Sequence, residues 1–356
     1  MLRKGNHWPA LGTVAALALA LGGCDSSATA PPPSDAADSF TVPGNETDGI
    51  RNLAAAPELL VTGLEGASGS TIGPGRTLYV TEGAAGRVSR VDRETGAVTT
   101  FASGLPPSII GVGGAVDVTF LGETAYVLVT LVDDALFPTG QINGIYRVDG
   151  PNDFTIIADL GAYNLAHPPG GFDFFVETGV LYAMESYRGG FLVTDGHLNR
   201  VLHVTLDGQI TTFRAFGNNV PTGLDVHGKT VYMAEAGPVP HLPEDGKIVT
   251  LDPNSMTATP IASGAPLLVD VEFGRGRTLF ALSQGTFGGG EPGAPALPNT
   301  GALLKVNGDG SLTVLADDVN LPTSVEIVDD TAYVVSLAGE IWRIDDVSAP
   351  PHGRKQ

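Results

Sequence analysis

The sequence predicts an all-β fold, a six-bladed β-propeller of four-stranded blades, on three observations. An apolar–aromatic–apolar triplet recurs six times: Leu78-Tyr79-Val80, Ala125-Tyr126-Val127, Leu181-Tyr182-Ala183, Val231-Tyr232-Met233, Leu279-Phe280-Ala281 and Ala332-Tyr333-Val334. Each is followed by a strand of apolar-x-x-apolar form, from Val88…Val91 to Ile341…Ile344, and successive aromatics lie 47, 56, 50, 48 and 53 residues apart. A period near 50 built from short strands is the mark of one propeller blade per repeat. The 48 glycines and 26 prolines supply the many turns such a meander requires.

Taken in order, the elements fall into blades. Blade one reads as Gly69–Ile72, Leu78–Thr81, Val88–Val91 and Ala97–Phe101, and blade two as Val116–Phe120, Ala125–Val129, Gly144–Val148 and Phe154–Ala158. Blade three reads as Phe172–Val176, Leu181–Met184, Arg200–Thr205 and Gln209–Phe213. Blade four is Gly223–Val226, Val231–Ala234, Lys247–Leu251 and Thr257–Ile261, with Pro260 in the outermost strand, where a missing amide donor is tolerated. Blade five is Leu268–Phe273, Leu279–Leu282, Ala302–Val306 and Leu312–Leu315. Blade six offers only Ser324–Ile327, Ala332–Val335 and Glu340–Ile344. The N-terminal run Glu58-Leu59-Leu60-Val61 is expected to complete it, closing the ring and leaving no open seam.

Strand alternation puts the loop entering each innermost strand on the same face as the loop joining strands two and three. The connections of the opposite face are short, as at Gly122-Glu123, Thr178-Gly179 and Gly228-Lys229. Second-to-third loops are expected to be long in four consecutive blades: 130–143, 186–199, 236–246 and 283–301. Two inter-blade excursions, 106–114 and 161–171, open on the same side. Long loops in a compact domain carry function or are disordered, so this rim is the expected functional face.

Candidate site residues occupy matched positions of that mouth. Glu82, Glu185 and Glu235 follow second strands, where the other blades place Thr130, Ser283-Gln284 and Ser336; Asp117, Asp173, Asp225 and Asp270 lie near the starts of first strands. Carboxylates converging on one axis would make a site of hard oxygen ligands, for which Ca2+ is the default occupant. The alternative is that these acids hydrogen-bond neighbouring backbone. His167, His197 and His241 fall in mouth-side loops, where they could serve acid–base chemistry or stand solvated. There is no G-x-S-x-G, no H-E-x-x-H and no cysteine nucleophile, and Gly288-Gly289-Gly290 lacks the Lys-Ser/Thr of a phosphate loop.

The N-terminus reads as an address. Arg3 and Lys4 precede an apolar run from Leu11 to Leu21, too short to span a bilayer, and Leu21-Gly22-Gly23-Cys24 ends in the chain's one cysteine. This resembles a bacterial lipoprotein signal, so residues 1–23 are expected to be removed and Cys24 to carry the lipid, of palmitate type. Asp25 favours retention on the periplasmic face of the inner membrane if the cell has two membranes. Residues 24–56, rich in Ser, Ala and Pro, read as a tether, 57–346 as the propeller and 347–356 as a polar tail. With Cys24 lipidated no disulfide or zinc thiolate remains. The net charge of −20, more negative still without Arg3 and Lys4, repels nucleic acid. A monomer is expected.

A family resemblance rests on Ile156-Ile157-Ala158-Asp159-Leu160-Gly161-Ala162-Tyr163, on Val220-Pro221-Thr222-Gly223-Leu224-Asp225-Val226, on the Arg-Val-Asp echoes at Arg90 and Arg147, and on Leu321-Pro322-Thr323-Ser324. Together, over roughly residues 57–346, the chain resembles the ScyD/ScyE family of secreted propellers, whose general motifs are shared with NHL-repeat and gluconolactonase-like six-bladed propellers. The resemblance implies a six-bladed propeller outside the cytoplasm and brings no catalytic residue set. Blade three departs from it, reading His203-Val204-Thr205 in place of Arg-Val-Asp.

Two functions fit these readings. One is a lipid-anchored binding or scaffold propeller holding a small molecule, glycan or protein on its loop-rich face. The other is a metal-dependent hydrolase or lactonase, with Glu82, Glu185, Glu235 and Asp225 presenting a cation that activates water.

Overall fold

The computed structural model describes residues 56–348 apart from 136, 172–173, 254–256 and 290–292. The signal, Cys24, the tether, Asp173 and the polar tail lie outside the described residues. The chain opens with β1 (Glu58–Val61) and then runs through blades of four antiparallel strands. Blade one is β2 (Ala67–Gly73), β3 (Thr77–Glu82), β4 (Arg87–Val91) and β5 (Val98–Ser103). Blade two is β6 (Gly114–Leu121), β7 (Thr124–Thr130), β8 (Gly144–Gly150) and β9 (Asp153–Asp159), followed by helix α1 (Leu160–Ala166). Blade three is β10 (Leu181–Tyr187), β11 (Gly190–Asp195), β12 (Arg200–Thr205) and β13 (Ile210–Ala215). Blade four is β14 (Pro221–His227), β15 (Thr230–Glu235), β16 (Lys247–Leu251) and β17 (Ala258–Ser263). Blade five is β18 (Leu268–Phe273), β19 (Leu279–Ser283), β20 (Gly301–Val306) and β21 (Leu312–Val319). Blade six is β22 (Pro322–Val328), β23 (Thr331–Ser336) and β24 (Glu340–Ile344), completed by β1 in the order β1-β24-β23-β22. The fold is therefore the six-bladed propeller read from the repeat, closed by its N-terminal strand.

Blade three is where that reading needs correction. Leu181-Tyr182-Ala183 begins the innermost strand, not the second one. Arg188 (φ 49°) and Gly189 (φ 78°) form a two-residue turn in left-handed backbone, the geometry that folds a tight hairpin, and the chain returns as β11. The segment expected to be a long loop from Ser186 to Asn199 is thus a hairpin turn, a strand and the short connection 196–199. The length sits instead in 160–180, which carries α1. Asp159 caps this helix, its Oδ1 accepting from the Ala162 amide at 2.8 Å.

The innermost strands β2, β6, β10, β14, β18 and β22 pack side by side into a ring around the axis. All six bulge near their starts, as at Ala67/Ser70, Ala115/Asp117 and Pro322/Ser324. A bulge twists the strand and re-aims its side chains. Between blades the second-strand aromatics fill the gaps: Tyr79 meets Phe101 at 5.0 Å and Phe120 of the next blade at 4.8 Å. Tyr126 meets Phe191, and Tyr232 meets Phe273, each at 4.8 Å. Such ring pairs add about 0.5–1.5 kcal/mol beyond area burial.

First and last blades share one core. Ile341, fully buried on β24, packs with Val61, Leu64, Leu78 and Val80. Truncation of Ile341 to alanine is expected to cost about 2–5 kcal/mol in chemical denaturation. Amide exchange should then rise first in β1 and β24.

Candidate functional site

The fifth residue of each innermost strand reads, around the ring, Thr71, Val118, Glu185, Asp225, Glu272 and Glu326. Four consecutive blades therefore carry a carboxylate at one level, and Asp117 and Asp270 stand just above them. A cleft at the axis is lined by Asp117, Glu185, Asp270, Glu272 and Glu326 together with Tyr182. Glu272 and Glu326 escaped the sequence reading because no second-strand or strand-start pattern marks them. Counting along the innermost strand from its first residue would have found them.

The aspartates among these acids work on backbone. Asp117 Oδ1 accepts from the Val118 amide at 2.8 Å, and Oδ2 accepts from Met184 of the next blade at 2.7 Å. Asp270 repeats the arrangement with Val271 at 2.9 Å and with Val325 of blade six at 2.8 Å. Asp225 Oδ2 accepts from Phe273 of blade five at 2.9 Å. Glycine makes room for two of them, since a Cβ at Gly69 or Gly223 would overlap the carboxylates of Asp117 or Asp270. Hydroxyls close the blade six–blade one junction, where Thr323 Oγ1 donates to Ser68 O at 2.7 Å and Ser70 pairs with Ser324 at 2.8 Å.

Burial and crowding set the ionisation of the ring. Burial pushes Glu185 and Asp270 each up to about 7, against bonds from Ser186 and from the Val325 and Val271 amides respectively. Burial also raises Asp117 well above the usual range, opposed by its two amides and aided by Asp270 and Glu185. Glu272 and Glu326 are likewise raised well above the usual range, first through burial and then through repulsion from neighbouring carboxylates.

On the loop side the axis is shut. Tyr182 reaches across from blade three to the opposite blade six, its hydroxyl donating to Thr323 O at 3.0 Å. Above it pack Leu131, Val180, Val220, Ala236 and Leu267, with Leu321 and Leu337 partly buried against them. These residues flank the strands: Ala236 donates its amide to Val220 O, and Leu337 to Leu321 O, so each ladder extends one step and turns an apolar side chain inward.

The residues expected at that mouth are accordingly buried and engaged. Glu82 is fully buried and accepts from Arg87 (2.8 and 2.6 Å), Ser89 (2.5 Å) and the Glu65 amide (2.8 Å). Burial opposes its charge, but these donors hold it below the usual carboxylate range. Glu235 is buried among Asn219, Lys247 and Arg214, with burial raising it. Glu185 stands on the innermost strand instead of beside Glu82 and Glu235. Among the described residues no three His, Cys, Asp or Glu come together as a group that could hold a metal ion. Thr130 Oγ1 accepts from the Leu181 amide at 3.1 Å, Ser283 donates to Pro266 O at 2.5 Å, and Ser336 donates to Asn320 O at 2.5 Å. Gln284 accepts from Ala296 at 3.1 Å and donates to Pro322 O at 3.4 Å. His241 and His197 are buried, His241 donating to Gly237 O at 2.8 Å and His197 accepting from Val176 at 3.1 Å. His167 is the exposed one of the three, stacked on Tyr163.

The residue of blade three that matches Glu82 and Glu235 is Asp195, paired with Leu181 as Glu82 is with Ala67 and Glu235 with Pro221. It is fully buried and accepts from Val180 (3.1 Å), Leu198 (3.0 Å) and Asn164 (2.8 Å). Arg200 in turn donates to Asn164 Oδ1 at 2.6 Å and to His167 O at 2.7 Å. A legible signal existed. Thr81-Glu82 with Arg87 and Thr194-Asp195 with Arg200 share residue types and spacing, and both threonines bond the bulged backbone at Gly69 and Ala183.

The outer loop face is apolar in patches. Phe137 (52%), Leu165 (52%), Phe175 (50%), Leu242 (43%) and Leu297 (47%) are exposed there, from the segments 131–143, 160–180, 236–246 and 284–300. Beside α1 lies a cleft of about 280 Å³, lined by Asn164, Leu165, Pro168, Pro169, Phe174, Glu177 and Leu198.

No protein-family model matches the sequence, and no curated protein matches it. Solved structures do match in fold, and these neighbours are six-bladed propellers that include gluconolactonases and lyases. A gluconolactonase from Xanthomonas campestris aligns at 13% identity and a TM-score of 0.55, over 82% of this chain and 90% of that one. An aldose sugar dehydrogenase from Streptomyces coelicolor aligns at 15% identity and 0.54, over 81% and 96%. A virginiamycin B lyase from Staphylococcus aureus aligns at 13% and 0.50, over 81% and 98%. At this identity the likeness is one of fold.

Two outcomes follow from the axis. A carboxyl whose folded pKa lies above its unfolded one binds more protons when folded, so stability is greatest below about pH 4 to 5 for that group and is lost as pH rises through its folded value. For Glu185 and Asp270 that window runs from about pH 4 to 7 and beyond. Their contribution makes Tm fall between pH 5 and 8, and Glu326→Gln should raise Tm at pH 8 while changing little at pH 5. Tyr182→Phe should cost about 0.5–1.5 kcal/mol in denaturant titration, through loss of its bond to Thr323 O.

Proposed function

We propose that this chain is a lipid-anchored, extracytoplasmic binding propeller of ScyD/ScyE type that holds its ligand on the loop face. The observation that carries the reading is the contrast between the carboxylates around the axis and the outer loops. Asp117, Asp225 and Asp270 are committed to backbone amides and Glu82 to Arg87, whereas five large apolar side chains are left half-exposed on the loops of one face. Single exposed apolar residues are ordinary, but their gathering on one face marks an interaction surface. The hydrolase or lactonase alternative draws on Glu82 and Asp225 together with Glu185 and Glu235, and the structural employment of the first two supports binding over it.

The position of the chain ends agrees with an anchor at Cys24. Glu58 pairs with Arg343 near the end of β24, so β1 begins on the turn face, and β24 ends there too. A tether preceding residue 56 would approach from that face and leave the loop face turned outward. Retention at the inner membrane, from Asp25, belongs to the same reading.

A photo-crosslinking residue placed in turn at Phe137, Phe175 and Leu242, and on the turn face at Glu123 and Lys229, tests it in the cells that make the protein. Specific adducts are expected from loop-face positions. Adducts confined to the turn face, or none from any position, would overturn the reading.

A further inference from the structure

We infer that the cleft beside α1 is the anchoring pocket for a partner polypeptide that presents a large apolar side chain flanked by lysine or arginine. This deepens the loop-face reading and rests on it. Size argues first. Small-molecule and cofactor pockets span about 300–1,000 Å³; at about 280 Å³ this cleft falls just below that range. A cleft of that size can take a single inserted side chain, and buried anchors of this kind dominate protein interfaces.

Chemistry argues next. Leu165, Pro168, Pro169, Phe174 and Leu198 give apolar walls, and Leu165 and Phe175 project half-exposed beside them. Among the described residues of the lining Glu177 is the charged one, and it is exposed. Arg200, bonded to the lining residue Asn164, is buried and turned inward onto it and the His167 carbonyl, so it does not neutralise the rim. A chain of net charge −20 adds a long-range field of the same sign. The rim therefore selects a basic neighbour to the apolar anchor.

Rigidity argues last. Asn164 is fully buried and donates to Thr178 O and to Asp195 Oδ2, each at 2.8 Å, while Asp195 also holds the Leu198 amide at 3.0 Å. These bonds fix both walls in advance, which lowers the ordering cost of docking. Neither β1 nor β24 has its chain end on this face, so no described terminus obstructs it.

The test is fluorescence anisotropy with the full chain and two labelled synthetic peptides, a central phenylalanine flanked by two lysines on each side and the same peptide with glutamates. At low ionic strength the lysine peptide should bind roughly ten-fold more tightly. Glu177→Gln should reduce that preference by several-fold, and Leu165→Asp, at an exposed position, should abolish binding of both peptides. Equal binding of the two peptides, or a preference unchanged by Glu177→Gln, overturns the inference, as does binding of neither. Free phenylalanine amide competing as well as the lysine peptide would point to a small-molecule site and overturn it too. If neither peptide binds while crosslinks persist at Phe137 or Leu242, this inference alone fails; if those are also absent, the loop-face reading fails with it.

Discussion

The innermost strand of a propeller blade has a hydrogen-bonding partner on one side only. Its other edge faces the axis, where space is narrow and buried amides must still find acceptors. In this chain aspartates of neighbouring blades provide them. Asp117 takes the Met184 amide, Asp225 takes that of Phe273, and Asp270 takes that of Val325, so three blade junctions are stitched by carboxylate and one by the hydroxyls of Thr323, Ser70 and Ser324. The bulges at the strand starts belong to the same solution, because they free backbone groups that Thr81 and Thr194 then satisfy.

Acidity at the axis is a consequence of that stitching. Each aspartate supplies an amide with an acceptor but adds a charge to a space shared with Glu185, Glu272 and Glu326. Burial raises all of them, and repulsion adds to it at Asp117, Glu185, Asp270, Glu272 and Glu326, so the cluster keeps protons at pH values where an ordinary carboxylate has lost them. A metal site would need several of these oxygens free to converge on one point. Here the aspartate oxygens are aimed at N–H groups around the ring, which serves closure and opposes convergence.

Much of this architecture was legible. Period and strand pairing showed the ring, and the apolar run at Glu58 to Val61 was read as its closure, because both depend on patterns of two and of about 50 residues that side chains state directly. Blade three was misread for a physical reason. Tyr182 sits in an apolar–aromatic–apolar triplet indistinguishable from those of second strands, yet its ring crosses the axis instead of filling an inter-blade gap. The aromatic that fills the gap is Phe191, packed on Tyr126 at 4.8 Å, and it follows a turn whose Arg188-Gly189 chemistry was the discriminating signal. Partners distant in sequence were beyond any local pattern, as with Asp117 and Met184. The apolar seal at the mouth was likewise not visible, since each contributing residue looked like an ordinary strand neighbour.

The misread blade is also the one that differs most from its neighbours, and the differences are coupled. Moving the triplet onto the innermost strand requires extra chain to reach it, and 160–180 is that chain. Part of it folds as α1 because Asp159 caps it, and Asn164 then ties it to Asp195, the residue that in blade one would be Glu82 bonded to its own arginine. Arg200, released from a direct pair of that kind, turns to Asn164 and the His167 carbonyl. One substitution of roles within a repeated acid–arginine pair thus anchors the insertion and shapes the cleft between α1 and Leu198, with Glu177 on its rim. In blades one, five and six that acid, or the hydroxyl in its place, bonds within its own blade, whereas Thr130 of blade two already reaches across to the Leu181 amide of blade three.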